Sequence, residues 1–160
     1  RGTAFHAWVE QHYARAALVD VTDLPGSADE EGVADADDLP TMKAHFLGSE
    51  WAARTPVAVE IAIETVVDGI AIRGRIDAVF PRADGGFTIV DWKTGAEPSG
   101  QDARVRSLQL GAYALAYGRL QGLAPDAVDA AFYYAQTGRT VRPELPGERE
   151  LVGLLATVPG

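Results

Sequence analysis

Apolar and polar positions change their period along this chain, and the changes mark out its elements. Thr3 suits a helix N-cap, and Phe5, Trp8, Val9 and Tyr13 then recur near helical spacing, predicting a helix to about Arg15 or Leu18. Residues 19–40 lose this pattern and carry Pro25, Gly26, Ser27 and Gly32 among acids, which reads as a flexible solvated loop. A short helix is expected around residues 41–53. The period then falls to two. Residues 57–63 read as a strand, Asp68-Gly69 as a turn and residues 70–80 as a second strand. Ala83-Asp84-Gly85-Gly86 is a hairpin turn, and residues 87–92 make a third strand. After a loop at 94–101, helical spacing returns over about 103–121 and ends near Gly122 and Pro125. A fourth strand over 128–135, a short fifth near 140–142 and a last helix through Leu155 complete the chain.

The expected fold is therefore α/β (α+β). A crossover helix between the third and fourth strands favours their lying parallel in one mixed sheet flanked by helices. With 160 residues, 47% of them hydrophobic and 23% charged, the chain reads as one globular domain. It opens Arg1-Gly2-Thr3 without Met, as if excised from something longer. No internal repeat, apolar run of membrane-spanning length or signal peptide is evident. No cysteine is present, which excludes disulfides, thiolate zinc sites and cysteine-held iron–sulfur clusters and points to the cytoplasm.

A net charge of −9 argues at first against a nucleic-acid partner. Its distribution changes that. Asp20, Asp23, Asp29, Glu30, Glu31, Asp35, Asp37 and Asp38 lie in one run without a Lys or Arg, so the rest of the chain is near neutral. Lys43 and Lys93 are the only lysines, and the other cations are all Arg. With abundant Ala, Gly and Val, this composition suggests a GC-rich bacterial genome.

Candidate chemistry gathers at strand ends. In Asp91-Trp92-Lys93, alternation puts Asp91 and Lys93 on one face, a carboxylate to hold a divalent cation beside an ammonium that can orient water or offset charge on a phosphate. Taken alone, Asp-x-Lys is equally a surface ion pair. Gly74-Arg75-Ile76-Asp77 places Arg73, Arg75 and Asp77 on one face of the second strand, either a solvated edge or a second carboxylate converging with Asp91. Gly74 inside a strand marks a bend or a close approach. Glu60 interrupts an apolar strand and either faces water or joins that cluster. His6 and Glu10 share a helix face, and His6 is either structural or an imidazole ligand. Arg106, Gln109, Tyr113 and Tyr117 form a stripe that either binds DNA phosphates or covers the sheet.

Four of these pieces, in this order, resemble the RecB-like branch of the PD-(D/E)xK nucleases. They are Gly2-Thr3-Ala4-Phe5-His6, Gly74-x-x-Asp77, Asp91-x-Lys93 and Gln109-x-x-x-Tyr113, spanning about two-thirds of the chain. The likeness extends to the C-terminal nuclease domains of actinobacterial helicase–nucleases of the AdnAB type, fused to a UvrD/Rep-like motor. The resemblance implies a restriction-endonuclease-like core. It implies Mg²⁺ or Mn²⁺ held by His6, Asp77, Asp91 and the Trp92 carbonyl, with Lys93 catalytic and Glu60 at an additional acidic position. It assigns Gln109 and Tyr113, with Arg106 nearby, to an accessory DNA-binding helix. Relatives with an iron–sulfur cluster use four Cys and are excluded. The expected partner is single-stranded DNA delivered by a fused or partner helicase motor, in double-strand-break end processing and repair. The acidic loop lies outside the core pattern. A nuclease-inactive DNA-guiding module and an α/β domain with chance motifs are the competing readings.

Overall fold

The computed structural model describes residues 3–17 and 38–155. Nearly all of the acidic run at 19–40 lies outside the described residues, so its expected loop is not addressed. The described chain forms α1 (Ala4–Ala17), α2 (Leu39–Leu47), α3 (Glu50–Ala53), β1 (Ala58–Val67), β2 (Ile70–Pro81), β3 (Phe87–Lys93), α4 (Gly100–Leu120), β4 (Val128–Tyr134), β5 (Arg139–Val141) and α5 (Glu148–Leu155). The strands make one mixed sheet in the order β1-β2-β3-β4-β5. β1, β2 and β3 are an antiparallel meander, β3 and β4 run parallel across the α4 crossover, and β5 returns antiparallel. The α/β architecture read from periodicity is the one the chain adopts.

Three boundaries differ for local reasons. The helix expected over 41–53 is two. Gly48 N–H bonds back to Ala44 and His45 carbonyls, and Ser49 Oγ donates to the Phe46 carbonyl while its own backbone turns extended. The first of the pair starts earlier, at Leu39, because Pro40 sits in a first turn that needs no N–H from it. β1 runs on past Ile63 to Val67, since Asp68 (φ 51°) and Gly69 (φ 80°) form the tight two-residue turn that keeps hairpin strands paired to their ends.

The two sheet faces are packed differently. On one, α4 lies close because it presents small residues. Ala112, Ala114 and Ala116 meet Ile63, Ile72, Ile76, Ile89 and Ala130, and Gly118 approaches Val128 to 3.5 Å for a Cβ placed on it. On the other face α1, α2 and α3 bring rings. Phe5, Tyr13, Phe46 and Trp51 pack on Phe80, Trp92 and Tyr133, with Phe46 edge-on to both Trp92 and Tyr133.

Two irregularities interrupt the sheet at one level. In β1, Val59 and Glu60 fall on the same side, and in β2 so do Asp77 and Ala78, because the apolar alternation skips one residue in each strand. Register is kept from Val59↔Ala78 to Ile61↔Ile76, with Glu60 and Asp77 facing each other outside the ladder. Glu60 has φ 50°, rare for a residue with a Cβ. On the other side, β2–β3 pairing stops at Ala78↔Val90, while β3 continues with β4 to Lys93↔Tyr134. β2 and β3 thus part just where Asp77 and Asp91 begin.

Candidate active site

The parting of β2 and β3 leaves the Trp92 amide without a strand partner, and the Asp77 side chain supplies one. Trp92 N–H donates to Asp77 Oδ2 at 2.7 Å. From the ring-packed side, α1 brings His6 to the same point. His6 Nε2 donates to the Trp92 carbonyl at 2.9 Å and lies 3.5 Å from Asp77 Oδ2. The far side of the ring is set by Thr3, whose Oγ1 is 2.6 Å from His6 Nδ1 and also accepts the His6 backbone N–H at 3.2 Å, capping α1 as its sequence predicts. Burial acts to lower the His6 pKa. The hydrogen bond and charge of Asp77, the charge of Asp91 and the Trp92 carbonyl outweigh it, and the imidazole ends above its ordinary value.

Asp91 and Lys93 point to the α4 side, opposite Val90 and Trp92, as alternation requires. Lys93 Nζ lies 2.9 Å from Asp91 Oδ2. That contact has the distance of an ion pair, and beyond Lys93 the buried Asp91 Oδ2 has no hydrogen-bond partner among the described residues. Burial first, then the charge of Asp77, push the Asp91 carboxyl up against the opposing pull of Lys93 and His6. Glu60 is raised too, by burial and then by the charges of Asp77 and Glu10, with His6 and Arg75 opposing.

These groups line one open cleft of about 1280 Å³. His6, Glu60, Asp77, Asp91, Trp92 and Lys93 form its floor, and Arg106, Gln109 and Tyr113 of α4 form a wall. The volume exceeds the ~300–1,000 Å³ usual for a small-molecule pocket and suits a section of polymer. The residues to which the resemblance assigns a role all lie on this cleft, while Arg73 of the second strand does not and pairs with Glu64. Tyr117, the last of the α4 stripe, is also off the cleft. It is buried against the sheet with its ring 5.8 Å from Phe87, and covers the core. Sequence reasoning gave Thr3 a capping role only and read Arg75 as a solvated surface cation. The first also holds the imidazole, and the second reaches Glu60.

Gly74 explains itself here. A Cβ at Gly74 would overlap the Tyr113 ring, so the glycine admits α4 to the β2 strand. Gly74→Ala is expected to displace the hydroxyl end of Tyr113 at a cost of about 1 kcal/mol, the low end for overpacking because that end is movable. Denaturant unfolding should show the cost disappearing in a Tyr113→Ala background. A cost that persists there would place the strain elsewhere.

The donor set suits a hard divalent cation: two carboxylates from two strands, one backbone carbonyl and one imidazole. Asp91 Oδ2, buried with only the Lys93 ammonium beside it, has a lone pair left to ligate. Among the described residues no three His, Asp or Glu side chains already close on one point. His6 Nε2 and the Trp92 carbonyl, two of the four candidate donors, are hydrogen-bonded to each other. The residues therefore fit such an ion, with the His6 proton as its competitor.

Comparison with known proteins agrees with this geometry. A family model described as the PD-(D/E)XK nuclease superfamily matches residues 1–156. Gene 69 protein of Mycobacterium phage D29 is 37% identical over 89 residues, covering 56% of this chain and 30% of that protein. A crystal structure from Eubacterium rectale, of a protein provisionally named an exonuclease, superposes with a TM-score of 0.61 at 14% identity, over 97% of this chain and 64% of that one. The chain thus spans about a third of the phage protein and under two-thirds of the bacterial one, and the structural likeness bears on the fold.

Proposed function

The chain belongs to the PD-(D/E)XK nuclease superfamily, and from that premise we propose that it is a Mg²⁺- or Mn²⁺-dependent deoxyribonuclease domain of the RecB-like branch. It is the nuclease module of a longer helicase–nuclease of the AdnAB type, acting on DNA ends in the bacterial cytoplasm during double-strand-break processing. Residues 1–160 form one domain of that longer chain, with the acidic 19–40 segment as an insertion. Among the described residues no helix is long and apolar enough to cross a membrane. The observation that carries the reading is the meeting of Asp77, Asp91, Lys93 and His6 where β2 and β3 part.

In this reading His6, Asp77, Asp91 and the Trp92 carbonyl hold the cation. When bound, it would neutralise charge on the scissile phosphate and make a water more acidic. Hydrolysis joins a water oxygen to phosphorus and breaks the bond to one bridging sugar oxygen, which leaves as a hydroxyl. Lys93, beside Asp91, orients the water or offsets the growing charge on phosphate oxygens. Glu60 presents a further carboxylate to the same volume, suited to accept a hydrogen bond from the water. Arg106, Gln109 and Tyr113 steady the DNA strand along α4. The test is cleavage of single-stranded DNA by the purified fragment in Mn²⁺ or Mg²⁺. Absent cleavage, with the motor also supplied, would leave a DNA-guiding module instead, and cation-independent cleavage would remove the metal from the reading.

Two further outcomes follow from this reading. Thr3→Ala should lower stability by about 1 kcal/mol through the lost cap. It should also weaken Mn²⁺ binding by about 10–100-fold, because an imidazole that ligates through Nε2 must carry its proton on Nδ1, where Thr3 Oγ1 accepts it. Thr3→Ser should restore both, and unchanged Mn²⁺ affinity in titration calorimetry would remove His6 from the ligand set. The isolated fragment should also bind DNA poorly at physiological salt. Its charge is −9, and affinity for a phosphate chain comes from the counterions that Lys and Arg release. A fused motor that holds the strand would raise its local concentration at the cleft. Tight binding by the fragment in a filter or anisotropy assay would contradict this.

A further inference from the structure

The Arg75 side chain makes an unusual pair of contacts. Its Nη1 donates to the backbone carbonyl of Glu60 at 3.1 Å and lies 3.7 Å from Oε1 of the same residue. One guanidinium thus holds a residue by its main chain and its side chain together. The residue held is the one with φ 50°, lifted out of the β1–β2 ladder opposite Asp77. A glutamate has no intrinsic reason to adopt that conformation, and such strain persists only where the surroundings over-determine it. Relaxed to the β region, Glu60 would resume pairing with Asp77 and restore plain alternation, which would carry its carboxylate off its present line to the cleft. Arg75 itself is 58% exposed and Glu60 23%, so the contact is made at the cleft's rim, with Glu60 inside and its holder outside.

We propose that Arg75 is a positioning residue: it clamps Glu60 in the left-handed conformation that aims its carboxylate at the cleft shared with Asp77. This rests on the nuclease reading for its consequence in catalysis, but not for the clamp. Nη1 alone makes both contacts, from a planar guanidinium whose plane fixes the direction of its N–H bonds, whereas a lysine ammonium is a rotating point charge without that geometry. Arg75→Lys should therefore keep the charge at the rim and lose the clamp.

The experiment compares Arg75→Ala, Arg75→Lys, Glu60→Gln and the Arg75→Ala/Glu60→Gln pair, with two readouts. Backbone carbon-13 shifts and amide couplings of Glu60 report its φ directly, without DNA or cation. The expected result is that Glu60 leaves the left-handed region in both Arg75 variants. Cleavage in the full helicase–nuclease context is expected to fall by about 10–100-fold in kcat, the usual effect of removing a supporting partner, with KM little changed. The pair should be no worse than Glu60→Gln alone. If Glu60 keeps its positive φ without Arg75, the clamp is refuted. If Arg75→Ala raises KM, flattens the salt dependence by about one counterion and adds fully to Glu60→Gln, Arg75 is a phosphate contact and the proposal is overturned. Loss of cleavage in the parent protein would fall on the nuclease reading, while the Glu60 shifts would still decide the clamp.

Discussion

Asp91→Asn should abolish cleavage and leave the domain as stable as before, or more so. The cleavage loss follows from removing a ligand charge at the point of reaction. Electrostatic groups of this kind carry several kcal/mol of barrier, so a fall of at least about 10²–10³-fold is expected. The stability sign is the reverse. Burial and the neighbouring Asp77 hold the Asp91 carboxyl above its ordinary value. An acid whose pKa is higher folded than unfolded costs stability once pH passes the unfolded value, because folding then opposes its ionisation. That cost is complete once pH has also passed the folded value, and a neutral amide of the same shape removes it. The counterweight is the lost attraction of Lys93, which is one-third exposed and screened by solvent. Cleavage in Mn²⁺ or Mg²⁺ and the thermal midpoint without divalent ions, measured on one preparation, check both halves. Undiminished cleavage would take Asp91 out of the centre, and a sharply lowered midpoint would make it a structural partner of Lys93.

Lys93→Arg should also remove most cleavage, with the fold intact. Arg is the default cation of this chain, and of the two lysines Lys43 has a separate task, 5.5 Å over the Trp8 ring. The lysine at 93 is thus set against the composition. Its backbone is fixed by the parallel pairing with Tyr134 and by the Ala135 N–H donated to its carbonyl at 2.8 Å, so only the side chain changes. A guanidinium is larger and donates from a rigid fork, and it cannot release a proton near neutral pH, while a lysine among suitable neighbours can. A simple ion pair with Asp91 would tolerate the exchange within about ±0.5 kcal/mol. The measurement is the cleavage rate and thermal midpoint of the variant in the full-length protein. Cleavage equal to that of the parent would make Lys93 structural and withdraw the mechanism above.

The parts of the site that alternation governs were legible beforehand. Asp91 and Lys93 share a side because strands have period two, and Gly74 marked a close approach that proved to be Tyr113. The order of elements was legible because their apolar periods are clean. Less visible were contacts between distant segments. Nothing in the local sequence says that His6 meets Trp92, 86 residues away, and the resemblance alone suggested it. The slip of alternation at Glu60 and Asp77 left no trace, because the residue with positive φ is a glutamate and not a glycine. Arg75 looked like a solvated cation for the same reason: its partner is a carbonyl made available only by that slip. The break at Gly48-Ser49 carried an ordinary stop signal, and helical periodicity on both sides of it concealed the stop.

The bond from His6 to the Trp92 carbonyl has a consequence for biogenesis. Within this domain α1 is made before its partner, which comes only with β3, and β3 is braced on its far side by β4, which follows the whole of α4. No shorter nascent chain holds the complete set of groups in place, since the long-range pairing that assembles them comes last. A chain truncated within this domain would therefore carry the residues of the candidate site without their arrangement.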